Sequence, residues 1–152
     1  MSFPKLDRAS FPFAPSVYLV QLSSRPGRIL SRAPEIFLKV GYTGKDHVRK
    51  RFRLDGDACA NYRIELYECE RVRHVADAED LEQDLLASLK LQFGQHEPSF
   101  GFSGQSECFR KPGADLGGMA AIRRLWNEEI HEYRRFLSVL QECRQARTVK
   151  PG

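Results

Sequence analysis

Hydrophobic and polar positions alternate in three short stretches of the chain and recur at helical spacing in two longer ones. Val17 to Leu22 (VYLVQL) and Ile36 to Tyr42 (IFLKVGY) read as strands, the second stopped by Gly41 and Gly44. The intervening Ser23 to Pro34 is a basic loop with turn formers, so the pair predicts a hairpin with an extended loop. Asp46 can cap a short helix running to about Leu54, which Asp55-Gly56-Asp57 ends. Tyr62 to Glu70 alternates with Tyr62, Ile64 and Leu66 on one face, a third strand.

Val75 to Phe93 carries an apolar stripe at helical spacing. Gly94 to Gly113 holds four glycines and two prolines and reads as loop, extended at most over Ser106 to Arg110. From Leu116 to Arg147, Met119, Ile122, Trp126, Ile130, Tyr133, Leu137 and Leu140 recur every three or four residues, predicting one long helix. The order β-β-α-β-α-loop-α predicts an α+β fold: a small, mostly antiparallel three-stranded sheet flanked by helices, with a long C-terminal helix. Residues 1–15, rich in Phe and Pro, form an extended arm in this reading. Residues 16–113 form the domain, and 114–152 a helical extension packed on it.

The chain has 152 residues, enough to bury one ordinary core. No apolar run approaches the length of a membrane span. Met1 to Pro15 has no signal-peptide core, which makes the cytoplasm the expected compartment. Cys59, Cys69, Cys108 and Cys143 form no C-x-x-C clip and do not cluster with the histidines, so free buried thiols are expected.

Charge adds a functional hint. Net charge is +4, and it is unevenly placed. Arg25 to Arg53 holds nine Lys/Arg against two Asp/Glu, including Arg25, Arg28 and Arg32 in the hairpin loop and Lys45, Arg49 and Lys50 after it. Asp55 to Glu82 holds nine Asp/Glu against three Arg. A site that grips a phosphate backbone and a divalent cation needs both signs. Two segments that neutralise each other across a surface would leave the same trace.

The most informative single position is Glu82. With residues about 100° apart on a helical wheel, Val75, Ala78, Leu85, Leu86, Leu89 and Phe93 share one arc, and Glu82 falls inside it. Glu79, Asp80 and Asp84 fall at its edge or outside. A carboxylate aimed at the core must pair with a cation, take up a proton or bind a metal. A salt bridge and a metal site are both open on this argument. In the last helix, Arg123 with Arg134 and Arg124 with Arg135 form two ridges that could touch phosphates. Glu128 and Glu132 are spaced to neutralise them on a solvated face, the reading favoured here. Trp126 and Tyr133 belong to the apolar stripe, which could also support a homodimer.

Taken in order, five short motifs resemble the GIY-YIG nuclease superfamily, in particular its small phage-type branch, the meiotically up-regulated gene 113-like domain. Val17-Tyr18-Leu19-Val20 is similar to the first motif, and Lys39-Val40-Gly41-Tyr42-Thr43 to the second. Arg49-Lys50-Arg51-Phe52 is similar to the arginine-bearing helix and Leu81-Glu82 to the helix that supplies a carboxylate. Ser106-Glu107-Cys108-Phe109 is similar to the closing motif. The resemblance implies an endonuclease that hydrolyses DNA phosphodiester bonds with one Mg²⁺ or Mn²⁺. It implies Glu82 as metal ligand, Tyr18 as base or water-positioning group and Arg51 as phosphate clamp. Arg51 is preferred over Arg49 because Val48 and Phe52 then match the flanking apolar positions.

The second motif departs from the pattern. Lys39 stands where the family has tyrosine, and Tyr42 follows the glycine. If the strand loses its alternation at Gly41, both side chains reach one cleft and have exchanged anchor points around a phosphate. Otherwise Lys39 is a surface residue, Tyr42 packs in the core and catalysis is impaired. Glu107 is a possible auxiliary group. Two other functions fit the chain: a nucleic-acid-binding module that has lost hydrolysis, and a protein-interaction module in which Glu82 forms a buried ion pair.

Overall fold

A computed structural model describes residues 15–26, 34–44, 61–100, 107–113 and 117–148. Four strands form one sheet: β1 (Ser16–Ser24), β2 (Ile36–Thr43), β3 (Tyr62–Arg71) and β4 (Cys108–Arg110), in the order β3-β1-β2-β4. All three pairings are antiparallel. Among the described residues, helix α1 (Val75–Phe93) lies between β3 and β4 in sequence, and the 31-residue α2 (Gly118–Thr148) follows β4. The protein is therefore α+β, with four strands where the apolar pattern predicts three. The fourth lies inside Ser106–Arg110, the segment the sequence allows as extended; it does not count as a strand by pattern because three residues are too few to display a period of two and lie in a glycine-rich stretch. The helix expected from Asp46 to Leu54 and the N-terminal arm lie outside the described residues.

Strand alternation divides the sheet into two faces. Val17, Leu19, Leu38 and Val40 point to one side, where α1 contributes Ala78, Leu81, Leu85 and Leu89, and α2 contributes Ile122, Trp126, Ile130 and Tyr133. The last helix thus shares the core of the sheet, as its stripe requires. Tyr18, Val20, Leu22, Phe37, Tyr62, Ile64 and Leu66 point to the other side and form a second buried cluster with Cys108. The pairing of β1 with β3 shifts register between Leu19 and Val20, passing over Tyr67. This bulge brings Glu68 and Glu70 opposite Leu19 and Val17, on the side of the helices.

Two local contacts fix how α1 meets its neighbours. Gly94 ends it at φ 87°, where a side chain would be strained, and its N–H bonds Lys90 O at 2.8 Å. The Gly94 carbonyl then accepts from Arg110 N at 2.9 Å, docking the end of α1 beside β4. At the other end, the Tyr133 hydroxyl accepts from Arg73 N and donates to Asp77 Oδ2, both at 2.9 Å, which ties α2 to the start of α1.

Candidate functional site

The register of the hairpin decides the site. Tyr18 on β1 pairs with Gly41 on β2, and Val20 pairs with Lys39. Tyr18, Lys39 and Gly41 therefore share the face turned away from α1 and α2. A Cβ placed on Gly41 would lie 2.5 Å from Tyr18 Cζ, nearer still to the hydroxyl oxygen, and 2.9 Å from Lys39 Nζ. Glycine is required here by the close approach of the ring and not by its backbone angles.

Lys39 is not a surface residue: its side chain is 4% exposed. Nζ donates to Glu107 Oε2 at 2.9 Å and to the Tyr18 hydroxyl at 3.4 Å, and lies 5.4 Å from the centre of the Tyr18 ring. Burial works against its charge. The Tyr18 oxygen and the Glu107 carboxylate, through Coulombic attraction and hydrogen bonds, more than offset that and hold Lys39 above the ordinary lysine value. A buried ammonium is stable here because both of its acceptors are preformed. Because Lys39 donates to Tyr18, the phenolic hydrogen must point away from the ammonium, which fixes one of the two directions in which the hydroxyl can act.

The same face becomes polar toward the start of β1. Ser16 Oγ and Thr43 Oγ1 are 3.1 Å apart and buried, and Cys69 pairs with Tyr18 from the β3 side. Burial pushes the Cys69 and Cys108 thiols up to about 12, so neither is a thiolate nucleophile at neutral pH. Cys69, Cys108 and Cys143 are free as expected, but of the three only Cys108 is buried; Cys69 is half-buried, Cys143 is exposed on α2, and Cys59 lies outside the described residues.

Tyr42 does not join Lys39. The strand keeps its alternation through Thr43, so Tyr42, three residues on, packs against the core on the helix side. The exchange of anchor points around one phosphate therefore has no support from strand geometry. Glu82 is 6% exposed on α1, whose apolar stripe packs on that same helix side, as the wheel predicts. Among the described residues, the structure thus gathers Tyr18, Lys39 and Glu107 into one cluster, with Tyr42 on the other face of β2. Arg28, Arg32, Lys45, Arg49, Lys50 and Arg51 lie outside the described residues. Arg25 lies at the end of β1, its N–H bonded to Asn61 O at 2.9 Å.

No group of three or more His, Cys, Asp or Glu suited to hold a metal occurs among the described residues. The donor set nearest to a metal ligand is the single buried carboxylate of Glu82. That composition fits an ion that takes one protein oxygen and draws its remaining ligands from substrate and water, as Mg²⁺ commonly does.

A second polar network was not anticipated. Glu35, just before β2, accepts from the Tyr62 hydroxyl at 2.6 Å and from Ser99 N at 3.0 Å, and its Oε2 lies 2.7 Å from His96 Nε2. Burial opposes its charge, but these bonds hold the Glu35 carboxyl below its ordinary value. His96 stacks on Phe37 with ring centres 4.5 Å apart. The network pins residues 96–100 over the apolar part of the site face. Its members are scattered over 65 residues, and no local pattern marks them.

The arginine ridges of α2 also differ from expectation. Arg123 Nε lies 3.6 Å from Glu68 and Arg134 bonds Glu70 at 2.7 Å, so both pair with β3 and not with Glu128 or Glu132. Arg135 does meet Glu132, at 3.4 Å. Between β3 and α2 runs a groove of about 940 Å³ with Trp126 and Ile130 in its wall. Compared with known proteins, the chain matches no family model, no curated protein and no solved structure. No helix among the described residues is long and apolar enough to cross a membrane.

Proposed function

We propose that the chain is a metal-dependent endonuclease of GIY-YIG type that cuts DNA. The observation that carries this reading is the Tyr18–Lys39 pair over Gly41, with Glu107 closing it. A phenol and an ammonium held together on a buried strand face, against a glycine that admits nothing larger, form a preorganised polar centre in an otherwise apolar cluster. The strand bearing Lys39 continues beyond β4, which pairs only with Phe37, Leu38 and Lys39. From Val40 to Thr43 the outer edge of β2 is therefore not paired by β4.

In this mechanism Tyr18 positions the attacking water by a hydrogen bond; the water oxygen bonds phosphorus as the P–O bond to the 3′ oxygen breaks, and the proton the water gives up passes through solvent to the departing 3′ oxygen. Lys39 stabilises negative charge on a phosphate oxygen beside Tyr18. Glu107 holds Lys39 in place. Arg51 clamps the phosphate, and the basic residues Arg25, Arg28, Arg32, Lys45, Arg49 and Lys50 follow the backbone. Glu82 would hold the Mg²⁺ or Mn²⁺, which when bound supplies a Lewis acid for the developing charge.

The ion pair between Lys39 and Glu107 favours a second reading, in which the ammonium is already neutralised and the fold binds nucleic acid without cutting it. One experiment separates the two. Supercoiled plasmid and a labelled single-stranded oligonucleotide are incubated with wild type and Glu82→Gln, in Mg²⁺ or Mn²⁺ against EDTA. The nuclease reading expects metal-dependent cuts that vanish in the variant. Salt-sensitive binding without cleavage would support the binding module. No affinity at low salt would leave a protein-interaction module.

A further inference from the structure

The C-terminal half of α2 carries features that the core does not use. Its buried stripe ends at Tyr133 and Leu137, yet the helix runs on to Thr148. Phe136 and Val139 are more than half exposed, and the exposed Cys143 is spaced to lie on the same side. One and two turns earlier, Glu132 and Glu129 continue this stripe and border a cleft of about 220 Å³ between α1 and α2. Asp77, Asp80 and Asp84 line its other wall, and Phe136 lies at its mouth. Burial, with Asp84 and the neighbouring glutamates, raises the Glu129 carboxyl above its usual range. Among the described residues Arg73 meets Asp77 at 3.6 Å and Arg135 meets Glu132 at 3.4 Å, which leaves the five carboxylates of the cleft in excess.

The helix is basic where the cleft is acidic. Beyond Tyr133 its described side chains include Arg134, Arg135 and Arg144 against the single carboxylate of Glu142. Arg134 is engaged with Glu70. Arg144 cannot reach its own cleft, because twelve residues of straight helix separate it from Glu132 by about 18 Å. A second copy can supply a further cation to this excess of carboxylates. We propose that two chains pair antiparallel through this half of α2, about an axis between Phe136 and Val139. Each Phe136 then meets the second copy's Val139, and each Arg144 is carried toward the second copy's acidic cleft. Apolar contact at the centre and opposite charges at both ends make the surface self-complementary, as a two-fold interface must be.

The test is sedimentation equilibrium of the full chain over a range of concentrations. A reversible dimer is expected, and Val139→Glu should shift it to monomer with helix content unchanged. Arg144→Glu should weaken dimerisation on the order of tenfold, and adding Glu132→Arg to it should restore part of the loss. A monomer at all concentrations overturns the proposal, as does a dimer indifferent to Val139→Glu. Orientation is read by mild oxidation. Antiparallel pairing holds the two Cys143 thiols apart, so rapid formation of a Cys143 disulfide in the dimer would overturn it.

Discussion

The Lys39 ammonium donates to the Tyr18 hydroxyl at 3.4 Å, directly over the bare Cα of Gly41. Two adjacent antiparallel strands bring these groups together, and a glycine makes room for them. The arrangement links a local requirement for glycine to the chemistry proposed for the site.

Replacing that glycine should damage stability and site together. Gly41→Ala places a methyl group into the Tyr18 ring and against Lys39. An overpacked core of this kind costs about 1–3 kcal/mol. Urea unfolding should register the loss, and DNA cleavage should fall further than stability alone explains because Tyr18 must move. A variant as stable as wild type would contradict the close approach.

Lys39→Ala should lower the rate of DNA cleavage by about 10²–10³ if the ammonium is a preorganised electrostatic group. Circular dichroism should show the fold retained, since Glu107 is about a quarter exposed and can regain water. Cleavage at the wild-type rate would remove Lys39 from the mechanism.

Lys39 also predicts an alkaline effect on stability. Its folded pKa is raised above the ordinary 10.5, so its contribution is complete below that value and disappears as pH rises through the folded one. Lys39→Met, which keeps the length of the stem, should lack this loss. The comparison is the melting temperature of both proteins on either side of 10.5; parallel curves would show the ion pair to be without effect.

Glu35 acts in the opposite direction. Its carboxyl is held below the ordinary 4.5, so it stabilises the fold above that value and ceases to do so as pH falls through its folded pKa. Glu35→Gln should flatten the acid limb of the stability curve and loosen residues 96–100. Hydrogen exchange at Ser99 N and Phe100 N reads the second effect, because these amides bond Glu35 and Tyr62 directly.

Trp126→Ala should cost about 3–5 kcal/mol, the usual range for emptying a large buried aromatic site. Trp126 is 3% exposed among residues of β1, β2 and α1. A single unfolding transition at lower denaturant would mark α2 as part of the main cooperative unit. Retention of the sheet's stability with α2 melted alone would mark it as an appendage.

The sequence alone determined what depends on near neighbours. A period of two revealed the three long strands. A period near 3.6 revealed both described helices and the residues each buries, including Glu82, whose place on the wheel needs only its own helix. Tertiary structure decided what depends on register and on distant partners. Lys39 could be read as exposed or buried until Glu107, 68 residues later, was brought to it by the pairing of β4 with β2. Tyr42 left the cluster because β2 holds its alternation through Gly41. Arg123 and Arg134 chose Glu68 and Glu70 over helical neighbours because a bulge in β3 turned those carboxylates toward α2. Periodicity is a property of a segment, whereas an ion pair between segments exists only after the sheet has chosen its order.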